Sequence, residues 1–365
     1  MNRPLFLALT AAILLVNCIA QSGDETSPSG APVYQSIPSW TVNFSDPKLD
    51  SPLNLPLPIT NGPPTCSADG TAFFVFLGHP PAFDQRAIYS VSAKGKVTVF
   101  SAEKIPGLQR VEIRSVDPGI TSLVMLIGAA RSDETAPPGK IIRNGPFLVR
   151  FNYDGSVQGF APLDVGFRPG QAVQLNDKSF LIFGAEPASA APQAVIVDLD
   201  GAILRQPDAY GMIPPEQDLL RMVAAADRTG MQSSLPLELR LSAVINSLQF
   251  EHSGRSLLLL EPGGDAKVLE ILPSRDVRTI AIRLPKGDQA DSLIAVNGKW
   301  IVRAYPEGAN DKMSLFEVDP ETGNATREIR TQGVPPSAIA CGSKEGFYGL
   351  RWIDKKPYVI TSNSN

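Results

Sequence analysis

The stretch CSADGTAFFVFLG (66–78) decides how the rest of the chain is read. Asp69-Gly70 is a dipeptide that accepts the positive φ a two-residue hairpin needs, and it is followed at once by a short apolar run with strand composition. The same order of turn and apolar run returns five more times. The instances are VDPGITSLVMLIG (116–128), QLNDKSFLIFGAE (174–186), FEHSGRSLLLLEP (250–262), AVNGKWIVRAYP (295–306) and CGSKEGFYGLRWI (341–353). After each of the first five comes a second hairpin: AIYSVSAKGKVTVF (87–100), FLVRFNYDGSVQGF (147–160), QAVIVDLDGAILRQ (193–206), KVLEILPSRDVRTIAI (267–282) and SLFEVDPETGNATREI (314–329). Alternation shows within them, with Ile88, Ser90 and Ser92 on one side of the strand and Tyr89 and Val91 on the other.

Composition agrees with many short elements joined by turns. Of 365 residues, 30 are glycine and 33 proline, a combined share of about one in six against a usual ~12%. Hydrophobic residues make up 43% and charged residues 19%, which is the balance of a folded chain and not of a disordered one. The formal charge of -4 gives no electrostatic footprint for nucleic acid. Only two histidines are present, so zinc and triad chemistry have little to draw on.

Two hairpins per unit are four antiparallel strands, and four strands repeating every ~40–50 residues are the mark of a propeller blade. In turn and strand pattern, residues 57–365 resemble the secreted bacterial β-propellers loosely grouped with WD40-like and YVTN-like repeats. The Trp-Asp dipeptide and Gly-His pair of true WD40 repeats are not at the expected places. The fold expected is all-β, a six-bladed β-propeller, with seven blades possible if 207–243 conceals a degenerate one.

The sixth unit ends after three strands. VYQSIPSWTVNF (33–44) has strand composition and no partner of its own, so it is expected to supply the missing fourth strand and remove an open edge. Cys66 and Cys341 sit just before the turn of the first and last units, which a closed ring makes neighbours. They are candidates for a disulfide, which an oxidising compartment allows and which on the chain-entropy argument contributes about 4–5 kcal/mol. The other reading is a pair of buried free thiols.

Residues 1–20, MNRPLFLALTAAILLVNCIA, read as a signal peptide: Arg3, an apolar run from Leu5 to Val16, then small residues before Gln21. Leu15-Val16-Asn17-Cys18 also reads as a lipoprotein signal with Cys18 as the lipidated residue. Residues 21–32 are then a flexible linker, and 33–365 one propeller domain. The expected location is the periplasm or outside the cell, with a lipid anchor as the alternative and no transmembrane span in the mature chain.

Between Pro207 and Ala243 the period is broken. PPEQDLLRMVAAADRTG places Leu219, Leu220, Met222, Val223 and Ala226 at helical spacing, with proline before and glycine after. A helical insertion near 207–243 is expected. RSDETAPPGKIIRN (131–144) reads as a solvated loop.

No nucleophile elbow, phosphate loop, dinucleotide fingerprint or calcium loop is found. His79 and His252 lie in a proline-rich connection and a turn. Neither a catalytic set nor a metal or cofactor set is expected, and the leading function is a non-catalytic scaffold for a protein or glycan partner. The alternative is a metal-dependent hydrolase or lyase similar to the sugar-lactone hydrolases, which hold a metal at the axial tunnel with Glu, Asn and Asp. Asp69, Asn176 and Asn297 are of the right types, although turns also select them.

Overall fold

The computed structural model describes residues 37–44, 52–55, 64–75, 87–132, 141–185, 192–204, 243–250, 254–260, 266–271, 277–285, 287–306 and 313–362. The chain divides into Met1–Ser36 and Ile37–Asn365, and all described residues belong to the second unit. The signal segment with Cys18, the linker, the helical insertion, His79 and His252 lie outside the described residues.

The described residues are almost all β. Strand β1 (Ser39–Asn43) comes first, and the rest form six sheets. The first sheet holds β2 (Thr65–Cys66), β3 (Ala72–Val75), β4 (Ala87–Val91) and β5 (Val97–Ser101). The second holds β6 (Leu108–Pro118), β7 (Leu123–Ser132), β8 (Ile141–Phe151) and β9 (Val157–Pro162). In the third are β10 (Arg168–Gln174), β11 (Phe180–Ala185) and β12 (Pro192–Val197), with a single further bridge from Val197 to Ile203. The fourth comprises β13 (Ala243–Phe250), β14 (Gly254–Leu260), β15 (Ala266–Ile271) and β16 (Val277–Ile282). The fifth contains β17 (Asp288–Val296), β18 (Lys299–Pro306), β19 (Ser314–Val318) and β20 (Ala325–Gln332). The sixth has β21 (Ile339–Ser343), β22 (Gly346–Ile353) and β23 (Lys356–Thr361). Sequential strands pair antiparallel within every sheet.

The sheets meet through their first strands. β2 touches both β6 and β21, β6 touches β10, and β17 touches β13 and β21, while β11 reaches β13. That chain of neighbours returns to its start, the propeller-type arrangement expected. It also explains why the repeated runs read as continuously apolar. In LVMLI, Leu123, Met125 and Ile127 pack toward the first sheet, while Val124 and Leu126 pack toward the third, and all five are buried. A strand with a sheet on each side has no solvent face to mark with polar residues.

The N-terminal strand differs from expectation. β1 runs parallel to β20, from Ser39 opposite Glu328 to Asn43 opposite Gln332, as an outer fifth strand of the fifth sheet. Val42 is its anchor, buried among Leu315, Ile329 and Ile360. The last sheet keeps three strands. Its outer strand is met by the following residues instead: Phe44 bridges Ser362, and the Leu53 N–H donates to the Pro357 carbonyl at 2.7 Å. The physical reason is that the outer edge of β20 offers unpaired backbone groups, and pairing there also buries Val42 beside Leu315 and Ile329. The 131–144 stretch also differs, since β7 runs to Ser132 and β8 starts at Ile141, with Arg131 opposite Arg143.

Candidate functional site

A groove of about 550 Å³ opens between the first and second sheets at the end where the β2–β3 and β4–β5 turns lie. One wall is built by strand alternation. Phe73, Ser90 and Thr98 stand directly opposite one another across β3, β4 and β5, so their side chains share a face. Two residues further toward the turns, Thr71, Ser92 and Lys96 occupy the same face. Deeper on it are Ile88 and Phe100, both fully buried. The face therefore begins as core and becomes hydroxyl-lined where the second sheet draws away.

The facing wall comes from two turns of the second sheet. Gly119 and Ile120 follow β6, and Tyr153 follows β8. The Tyr153 hydroxyl donates to the Gly119 carbonyl at 2.7 Å, which locks the turns together. Its ring sits 6.2 Å from the Phe73 ring, tilted at 53°. The residue is still 41% exposed and lines the groove. Burial raises the Tyr153 hydroxyl above the ordinary tyrosine range, the nearby Asp117 charge adds to this, and Arg255 opposes it.

At the same end, a buried polar cluster links sheets that are not consecutive in the chain. Arg255, the second residue of β14, donates to the Asp117 carboxylate at the end of β6 and, at 2.9 Å, to the Pro118 carbonyl. The other Asp117 oxygen accepts the Gln174 N–H at 2.7 Å. Gln174 in turn donates from its amide to the Thr121 hydroxyl at 3.0 Å. Second, third and fourth sheets are thus joined by one buried polar cluster. Sequence reasoning missed it, because an arginine just after a turn reads as solvated.

The residues weighed as metal ligands stay in their own turns. Asp69 accepts the Thr71 N–H at 3.0 Å, and Asn176 accepts the Lys178 N–H at 2.9 Å. Asn297 holds a left-handed φ of 51° between β17 and β18. Among the described residues no three or more of His, Cys, Asp and Glu gather as a metal site. The groove is partly legible in the sequence: Ile88, Ser90 and Ser92 alternate onto one side of β4, and the change from apolar to polar along it is the signal.

Cys66 and Cys341 are bonded to each other, with Cα atoms 5.8 Å apart, joining β2 to β21. Beside them the buried Tyr348 hydroxyl is shared between the carbonyls of Gly70 at 2.6 Å and Val91 at 2.8 Å. Both ties cross from the last sheet to the first. No helix among the described residues is long and apolar enough to cross a membrane.

No known protein family and no curated protein matches the chain. Solved structures do. A streptogramin B lyase is 14% identical over 86% of this chain and 97% of its own, with a TM-score of 0.36. A GH43 protein of a Bacteroides ovatus xyloglucan locus is 10% identical over 86% and 72%, at 0.37. YCF48, solved bound to a D1 peptide, is 12% identical over 90% and 84%, at 0.33.

Proposed function

We propose that this is an exported six-bladed β-propeller that works without catalysis, binding a protein or glycan partner through the groove between the first and second sheets. The observation that carries the reading is the contrast at one end of the molecule. Side chains of catalytic or ligating type there are engaged: Asp69 and Asn176 in their turns, Asp117 with Arg255. The groove beside them is open and lined by hydroxyls and an exposed ring, a surface suited to recognition. Export is supported by the leader-like residues 1–20 and by the Cys66–Cys341 bond, which persists in oxidising compartments. Whether Cys18 is lipidated is read by fatty-acid labelling, lost in Cys18→Ser if it is.

The test of the non-catalytic reading is a calcium titration followed by thermal unfolding. The expected result is an unchanged melting temperature. A rise of several degrees that a chelator reverses would overturn it in favour of the metal-dependent hydrolase.

A further inference from the structure

We infer that the ligand of the groove is a neutral carbohydrate, a deduction that rests on the partner-binding reading above. The charge in the groove is balanced, with one carboxylate at Asp69 and one ammonium at Lys96. Such a lining favours neither an anion nor a cation, because each would meet a like charge as well as an opposite one. What remains is a dense set of hydroxyls. Thr71, Ser90, Ser92 and Thr98 stand in two rows on one pleated face, at the two-residue spacing of β4 and β5. Hydroxyls both donate and accept, and a sugar presents the same dual groups along its ring.

The opposite wall supplies the second half of sugar recognition. Tyr153 packs its ring beside Phe73 and, with Ile120, itself 39% exposed, lines the groove opposite the hydroxyl rows. A pyranose has one face of C–H groups, which stacks on an aromatic or aliphatic wall while its hydroxyls point away. A volume of about 550 Å³ falls within the ~300–1,000 Å³ of small-ligand sites. A peptide added as a strand is disfavoured by position, for β4 is paired on both sides and the other wall is made of turns.

The purified chain is applied to a printed array of neutral and anionic oligosaccharides and acidic peptides, and neutral members that bind are re-measured free by isothermal titration. Binding of at least one neutral oligosaccharide is expected. Tyr153→Phe keeps that affinity within about threefold and Tyr153→Ala loses at least about tenfold, the size of one ring contact. Should Tyr153→Ala unfold, Thr98→Lys fills the groove from a half-exposed position and abolishes binding with little change in melting temperature. Binding of anionic sugars or acidic peptides alone overturns the neutral-carbohydrate inference and leaves partner binding standing. So does neutral binding that survives both variants. The calcium titration judges the non-catalytic reading separately.

Discussion

Arg255 on the fourth sheet and Asp117 on the second form an ion pair in which both side chains are 1% exposed. Their sheets are separated in chain order by the third, yet β6 and β13 also touch, so the pair fastens two sheets that are not consecutive in the chain. Paired charges at this depth need every remaining polar atom answered. The Pro118 carbonyl and the Gln174 N–H answer two of them.

Removing one partner leaves the other charge buried. Asp117→Asn or Arg255→Met should each destabilise by about 3–5 kcal/mol. The double variant should cost clearly less than the sum of the singles, because neither charge is then stranded. Urea unfolding of all four proteins checks this, and simple additivity would show that the two residues act independently.

Tyr348 makes stability depend on alkaline pH. Burial raises its hydroxyl well above the ordinary value, so the folded chain holds the proton that the unfolded chain releases near pH ~10. Stability is therefore full below that pH and declines as pH rises past it. Tyr348→Phe should lose about 1 kcal/mol at neutral pH through the bonds to Gly70 and Val91, and should decline less steeply above pH ~10. Equal slopes in the two proteins would discard this account.

Two glycines with similar backbone angles should respond differently to alanine. Gly298, at φ 75°, has open space where a Cβ would go. At Gly323, φ 72°, the methyl would overlap the Ala281 carbonyl of the preceding sheet. Gly298→Ala should cost about 1–2 kcal/mol from the left-handed conformation alone. Gly323→Ala should cost more and disturb the fourth–fifth sheet contact, which thermal unfolding of the pair would reveal.

What was legible in the sequence was local. The turns at Asp69-Gly70 and Asn297-Gly298 announce themselves, since few residues accept positive φ, and the cysteines inherit their proximity from the repeat. Long-range choices were not legible. Lys178 and Arg255 both follow a turn at the head of a second strand, yet Lys178 is exposed and Arg255 buried. Arg255 is buried against Asp117 and the Pro118 carbonyl, contacts made by a distant part of the chain. Likewise nothing in SWTVN states that it will lie parallel to β20, because any edge offers it the same hydrogen bonds. For the groove, the hydroxyls of β4 were visible, but not that Tyr153 would face them.

Besides apolar packing, the first sheet meets the last through the Cys66–Cys341 bond and the Tyr348 hydroxyl, and Leu53 of the segment between β1 and β2 bonds to Pro357. The disulfide spans 275 residues of chain, so its loss releases a large loop in the unfolded state. Cys66→Ser with Cys341→Ser should cost about 2–5 kcal/mol. Val42→Asp should act on the same seam from a distance, by freeing β1 from Leu315 and Ile329 and loosening the segment that follows it. If the ties cooperate, hydrogen exchange in the double-serine variant should rise first in β21–β23 and β2, and combining it with Val42→Asp should cost more than the sum. Strict additivity, with exchange spread evenly over all six sheets, would mean that the seam is no weaker than any other junction.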